Sequence, residues 1–249
     1  MTASAALTPL VDLVFPPRCP LCGDALAEHG GLCASCWEQL AFPGEPACTL
    51  CQRPLGDSAA GVAAPLTCAP CLADPPQHDG IAAATLYTDA SRALVLGLKH
   101  GRRIGLATLL GRLVAARLGA TEGEWLVIPV PLHRWRLWRR GFNQSVLIGR
   151  EVARATGRRL VVDGLLRTKA TPPLGGLGRA ERARMLRSAI VANPARGSLL
   201  AGAQVILVDD VITSGATTGA CIAALRRAGA RAVRIACFAR VLDEALPHA

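Results

Sequence analysis

Two adjacent carboxylates, Asp209 and Asp210, follow four apolar residues, 205–208, and precede a loop of hydroxyls and glycine: Thr213, Ser214, Gly215, Ala216 and Thr217. The apolar run has the length and β-branching of a strand buried on both faces. An alanine-rich stretch with Leu225 comes next and stops at Gly229, as a helix with a glycine stop does. Strand end, acidic pair, open turn and helix start are the parts needed to hold a phosphorylated sugar. Free N–H groups of the turn and the helix N-terminus attract a phosphate. The carboxylates can accept hydrogen bonds from the two hydroxyls of a ribose, and a pair of them also favours Mg²⁺. The alternative, acids that merely end a strand and cap a helix, is the weaker one, because acids avoid a fully apolar strand unless a ligand or cap uses them.

A second constellation lies at the other end of the chain. Eight of the ten cysteines form four Cys-x-x-Cys knuckles: Cys19/Cys22, Cys33/Cys36, Cys48/Cys51 and Cys68/Cys71. A two-residue gap turns both thiolates toward one tetrahedral metal, and two knuckles complete a Cys₄ zinc site. Ten residues separate the first two knuckles and sixteen the last two. Sequential pairing gives two stacked ribbons; a cross-braced pairing, first with third and second with fourth, fits nearly as well. Disulfides are the competing reading, disfavoured by the lack of an export signal. Two structural zinc ions would supply folding energy that this Gly-, Pro- and Ala-rich segment cannot draw from a core of its own. Cys221 and Cys237 have no knuckle partner and read as small buried hydrophobes.

The elements between must position the acids. Residues 81–87 read as a strand, 92–98 and 104–118 as helices, and 125–131 as a second buried strand. The basic break Lys99-His100-Gly101-Arg102-Arg103 is either a solvated turn or the source of a ligand lysine, Lys99. After the second strand, Arg134, Arg136, Arg139 and Arg140 alternate with Trp135 and Trp138 in a basic loop, until helix resumes at Asn143, a good N-cap, and runs to Gly157. A basic loop ending at a helix N-terminus suits a pyrophosphate, with Arg140 and Asn143 as contacts. Interleaved Trp and Arg also suit single-stranded nucleic acid. Tryptophans packed in the core under exposed arginines are the third reading. Residues 160–166, 189–192 and 232–238 read as further strands. Alternating strands and helices predict an α/β fold with an open, mostly parallel sheet flanked by helices and ligands at the carboxyl ends of its strands.

Charge divides the chain. Residues 1–80 hold two basic and eight acidic residues, a net of −6, while residues 81–249 carry +16. We expect two domains with that boundary, the second built for a polyanion. No run of about 18 or more apolar residues occurs, which predicts no membrane span. Residues 1–17 lack a basic leader; Leu7, Leu10, Val11 and Val14 fall at helical spacing, so a cytoplasmic chain starting with a short amphipathic helix is expected.

The string VILVDDVITSGAT, residues 205–217, resembles the thirteen-residue signature of type I phosphoribosyltransferases. The resemblance implies that the acidic pair holds the ribose hydroxyls of phosphoribosyl pyrophosphate (PRPP), bound with Mg²⁺, and that the loop binds its 5′-phosphate. It also implies that the long connection 167–187 closes over the pyrophosphate. There Arg179, Arg182 and Arg184 are the candidate contacts and Thr171-Pro172-Pro173 the rigid entry. Asp209, Asp210, Arg179 and Arg182 would then carry any catalysis. The order IPVPLH, RRGFNQS, TPPLGGLGRAERARMLRSAI and the signature is similar to that of the ComF family of competence-associated, phosphoribosyltransferase-like proteins. Its longer members carry a double zinc ribbon ahead of the transferase domain. This likeness implies handling of incoming single-stranded DNA in natural transformation, or DNA utilisation, with a competence helicase as partner. An active transferase of nucleotide salvage, in which a nitrogen base displaces pyrophosphate from C1, and a PRPP-sensing regulator are the alternatives.

Overall fold

A computed structural model of the chain describes residues 15–56, 66–101, 103–119, 122–169 and 189–242. The expected amino-terminal helix and the lid residues Thr171, Pro172, Pro173, Arg179, Arg182 and Arg184 lie outside these.

In chain order the elements are α1 (Ala34–Trp37), α2 (Ala69–Ala73), β1 (Ile81–Leu86), α3 (Asp89–Lys99), α4 (Leu106–Leu118), β2 (Trp125–Pro129), α5 (Arg134–Arg140), α6 (Gln144–Thr156), β3 (Leu165–Arg167), β4 (Ile190–Ala192), α7 (Gly197–Leu200), β5 (Gln204–Ile212), α8 (Ala216–Arg227) and β6 (Ala232–Arg240). Four strands make a parallel sheet in the order β1-β6-β5-β2, so the strand of the acidic pair is an inner one. Strand periodicity explains its composition. Ile206 and Val208 enter the core beneath α3, α4 and α6, whereas Val205 and Leu207 enter the core on the other face, against Leu225 of α8. Cys221 and Cys237 are fully buried in that second core, as expected of small hydrophobes.

Three local readings change. The basic loop after β2 folds as helix α5, because Arg, Leu and Trp tolerate a helix and both ends are capped. His133 Nδ1 accepts from Trp135 N–H at one end, and Gly141 closes the other with a φ of 83°. The expected strand at 160–166 becomes one bridge, Leu160 to Val127, and the separate strand β3, antiparallel to β4. Gly164 lies between them, where a Cβ would come within 3.0 Å of Ile128 Cδ1. Strand β5 runs on through both aspartates to Ile212, so they are strand residues and not its terminus.

Helix α6 packs on α4 at Gly111, where an added Cβ would lie 2.3 Å from Glu151 Cβ and 3.1 Å from the Ile148 carbonyl. Helix propensity favours alanine there by about 1 kcal/mol. A contact that short, against the root of a side chain, forces the helices apart and outweighs it. Gly111→Ala is therefore expected to destabilise by about 1–3 kcal/mol, read as a lower urea midpoint with an unchanged slope.

The cysteine-rich segment docks on the outer edge of β1. Leu86 N–H donates to the Ala41 carbonyl (2.7 Å) and Ala83 N–H to Gln52 Oε1 (2.8 Å). Leu40 is buried in the core of the sheet. The segment thereby satisfies backbone groups that an edge strand leaves open.

Candidate functional site

The four knuckles pair in sequence. Cys19, Cys22, Cys33 and Cys36 form one cluster and Cys48, Cys51, Cys68 and Cys71 the other, with the sulfurs of each within 4.8 Å of one another. A Zn–S bond of about 2.3 Å requires tetrahedral sulfurs about 3.8 Å apart. The distances Cys22–Cys33 (3.4 Å) and Cys51–Cys68 (3.5 Å) lie within a few tenths of an ångström of that, and none of the ten cysteines is in a disulfide. Burial raises the Cys19 and Cys48 thiols, but backbone N–H donors from the knuckle turns prevail and hold each down at about 6. The two sites fit two zinc ions. They differ in access: the second is wholly buried, whereas Cys22 of the first is exposed.

At the sheet, β5 presents Asp209 and Asp210, both buried. Asp209 Oδ1 accepts from the Ser145 hydroxyl (3.1 Å) and from Asp210 N–H (2.9 Å). Asp210 Oδ1 accepts from Val211 N–H (2.8 Å), and Lys99 Nζ pairs with its Oδ2 at 2.8 Å. Lys99 is the last residue of α3, whose other end is fixed by a reciprocal box: Thr88 N–H donates to Ser91 Oγ (2.7 Å) and Ser91 N–H to Thr88 Oγ1. The basic break thus contributes its lysine from a helix end.

Helix α6 delivers Ser145 in its first turn. Asn143 caps that turn through Oδ1 to Ser145 N–H (2.9 Å), and its Nδ2 donates to the Val130 carbonyl (3.0 Å), which ties the helix start to the end of β2. Arg140 donates to Gln144 Oε1 (2.7 Å). Burial lowers its pKa and the charge of nearby Asp210 raises it. Arg167, at the end of β3, is likewise lowered by burial, then by Arg136, and feels Asp209. Of the residues singled out from sequence, the structure gathers Asp209, Asp210, Lys99 and Arg140. It adds Ser145 and Arg167, and sets Arg136 of the basic stretch near Arg167. Ser145 stood in the quoted RRGFNQS string, but a serine in a first helical turn carries no signal until the strand it faces is known.

The loop 213–215 leads into α8 through Gly215, whose φ of 72° is a left-handed conformation that a Cβ would strain. No side chain caps this helix. Thr218 Oγ1 donates to the Gly215 carbonyl (2.9 Å); Thr213 is exposed and Ser214, Ala216 and Thr217 are half-buried, and a helix start without a side-chain cap leaves N–H groups available to an anion.

Burial, then the neighbouring Asp210, push the Asp209 carboxyl up from 3.8 to about 7, against the opposing pull of Lys99, Asp210 N–H and Ser145. The folded chain therefore holds this proton more tightly than the unfolded one. The stability it contributes is full below about pH 4 and is lost as pH rises through about 7. Thermal midpoints are expected to fall between about pH 5 and about pH 8, and Asp209→Asn to flatten that decline.

A parallel sheet with a carboxylate pair and an open glycine turn on an inner strand, joined to a double zinc ribbon, defines a phosphoribosyltransferase-type domain with a metal-binding module. Residues 10–76 match the double zinc ribbon domain family and residues 175–249 the phosphoribosyl transferase domain family. The chain is 32% identical over 238 residues to the DNA utilization protein YhgH of Escherichia coli O6:H1, across 92% of this chain and 100% of that protein. It is 28% identical over 233 residues to Competence protein F of Haemophilus influenzae, across 91% of this chain and 98% of that one. A solved structure of the allosteric regulatory enzyme of purine biosynthesis aligns with a TM-score of 0.37 at 25% identity, over 53% of this chain and 25% of that enzyme. The chain belongs to the ComF family. No helix among the described residues is long and apolar enough to cross a membrane.

Proposed function

We propose that the chain binds PRPP with Mg²⁺ and uses that site in DNA utilisation or uptake in the cytoplasm, alongside a competence helicase. The observation that carries the ligand assignment is the buried Asp209–Asp210 pair beside the uncapped, glycine-started α8. In this reading the two carboxylates accept the ribose hydroxyls. The N–H groups of Thr213, Ser214, Gly215, Ala216 and Thr217 hold the 5′-phosphate, and Arg140 faces the pyrophosphate. Asn143 acts by fixing the backbone around Val130 and the start of α6. Lys99 pairs with Asp210 and so sets the position of its carboxylate. The carboxylate pair offers the hard oxygen ligands that Mg²⁺ needs, and the ion when bound neutralises pyrophosphate charge. Arg179 and Arg182 are proposed to reach the pyrophosphate from the connection after β3. Residues 1–80 and 81–249 are the proposed domains. The DNA assignment is carried by the relatives, named for DNA utilization and competence.

Calorimetric titration of PRPP with Mg²⁺ tests the reading; absence of binding to the wild type would falsify it. Pyrophosphate release that depends on an added nucleobase would make the chain a transferase. Binding without release would leave it a PRPP-dependent binding protein.

A further inference from the structure

Helix α5 has two unlike sides. At about 100° per residue, Arg136 and Arg140 fall together. Both are half-buried, and their charges couple to the site: Arg140 with Asp210, and Arg136 with Arg167, whose own charge couples to Asp209. The same rotation places Arg134, Trp138, Trp135 and Arg139 side by side, in that order, on the opposite face. There Trp135 is 61% and Trp138 75% exposed, their rings stacked with centroids 5.1 Å apart and planes 22° apart. Arg134 and Arg139 are exposed on either flank.

A stacked pair of indoles in water leaves apolar surface uncovered where burial would be favourable, and such patches mark interaction sites. What distinguishes this one is charge. Its flanks are both guanidinium, its helix has no acidic residue, and it belongs to residues 81–249, which carry +16. An anionic partner with flat, apolar faces fits, and unpaired bases on a phosphate backbone are such a partner. Paired bases would not expose those faces.

We propose that the outer face of α5 is a stacking platform for single-stranded nucleic acid, with Trp135 and Trp138 under successive bases and Arg134 and Arg139 on the flanking phosphates. The proposal rests on the DNA-handling part of the function proposed above and locates it. It does not use the ribose-phosphate site, although the inner arginines of the same helix place the strand at the rim of that site.

The test is fluorescence anisotropy with labelled oligothymidylate, together with PRPP calorimetry on the same proteins. Trp135→Ala with Trp138→Ala is expected to weaken oligothymidylate binding about tenfold or more, with melting temperature and PRPP binding unchanged because neither ring is buried. Arg134→Ala with Arg139→Ala is expected to reduce the slope of log affinity against log salt by about 1.4, two phosphates at about 0.7 each. Equal binding by the tryptophan variant and the wild type overturns the proposal while leaving the PRPP reading intact. So does Trp-dependent binding to phosphatidylglycerol vesicles, or Trp-dependent self-association in sedimentation, without oligothymidylate binding. Trp-dependent oligothymidylate binding in a protein that gives no heat with PRPP supports the platform and sinks the ribose-phosphate reading.

Discussion

Asp209→Asn combined with Asp210→Asn is expected to weaken PRPP binding by about a hundredfold or more, with little loss of stability. Each carboxylate that accepts a ligand hydroxyl contributes a charge-assisted bond of about 1.5–3 kcal/mol, so two removed together pass the hundredfold mark. The fold tolerates the change because the pair is in conflict with itself. Burial and the adjacent charge of Asp210 already push the Asp209 carboxyl up to about 7, and an amide removes that repulsion. Lys99 loses its partner, but it is 23% exposed and can turn to water. Inorganic phosphate should bind the double variant as it binds the wild type, since the loop and the start of α8 are untouched. The wild type should release a proton on binding PRPP below about pH 7, visible as a dependence of the binding heat on buffer. A double variant that binds PRPP as tightly as the wild type would place the ligand elsewhere.

Removal of zinc is expected to have the largest effect on folding. Structural zinc sites of this kind contribute about 10–16 kcal/mol of apparent binding energy, comparable to the whole stability of a domain. Cys48→Ser should reduce the zinc content from two ions to one and expose residues 46–55 to proteases. Chelation should empty the first site before the second, since Cys22 is exposed whereas every cysteine of the second site is buried. The first site reaches further than its own ribbon. Thr88 Oγ1 donates to the Gln39 carbonyl (3.3 Å) at one end of α3, and just beyond the other Arg103 Nη1 donates to the Pro20 carbonyl (2.7 Å). Cys19→Ser should therefore also loosen Lys99 and weaken PRPP binding. Zinc content that stays at two ions after Cys48→Ser, or melting curves unchanged by a chelator, would refute the assignment.

The parts legible in the sequence were those set by local chemistry. Apolar residues 205–208 ahead of two acids identified the central strand, and Asn143 and Gly157 marked both ends of α6, because each signal depends on its neighbours in the chain. Knuckle spacing named the ligands but left their pairing open. Sequential and cross-braced arrangements differ only in how two turns meet in space, and the clusters decide for the sequential one. The sequence of α5 reads as a loop because seven residues are too few to show a period and their charge resembles a solvated turn. Ser145 and Arg167 were hidden for a third reason. Their place at the acids follows from the packing of α6 and β3 around β5, contacts that no short window of sequence contains.

Strand β1 has two neighbours of very different origin. On its outer edge the partners are Ala41 and Gln52, a few tens of residues earlier in the chain; on its inner edge the Thr85 hydroxyl reaches the Phe238 carbonyl, 153 residues later. During synthesis from the amino terminus the first edge can be satisfied almost as soon as β1 emerges, provided that metal has closed the ribbons. The second must wait until β6, 153 residues further on at Phe238, has been made. The metal-binding module thus acts as a resident escort, covering one side of a waiting strand while the other stays open. A cell short of zinc would meet this chain first as a problem of nascent-chain aggregation and only afterwards as one of lost ligand binding.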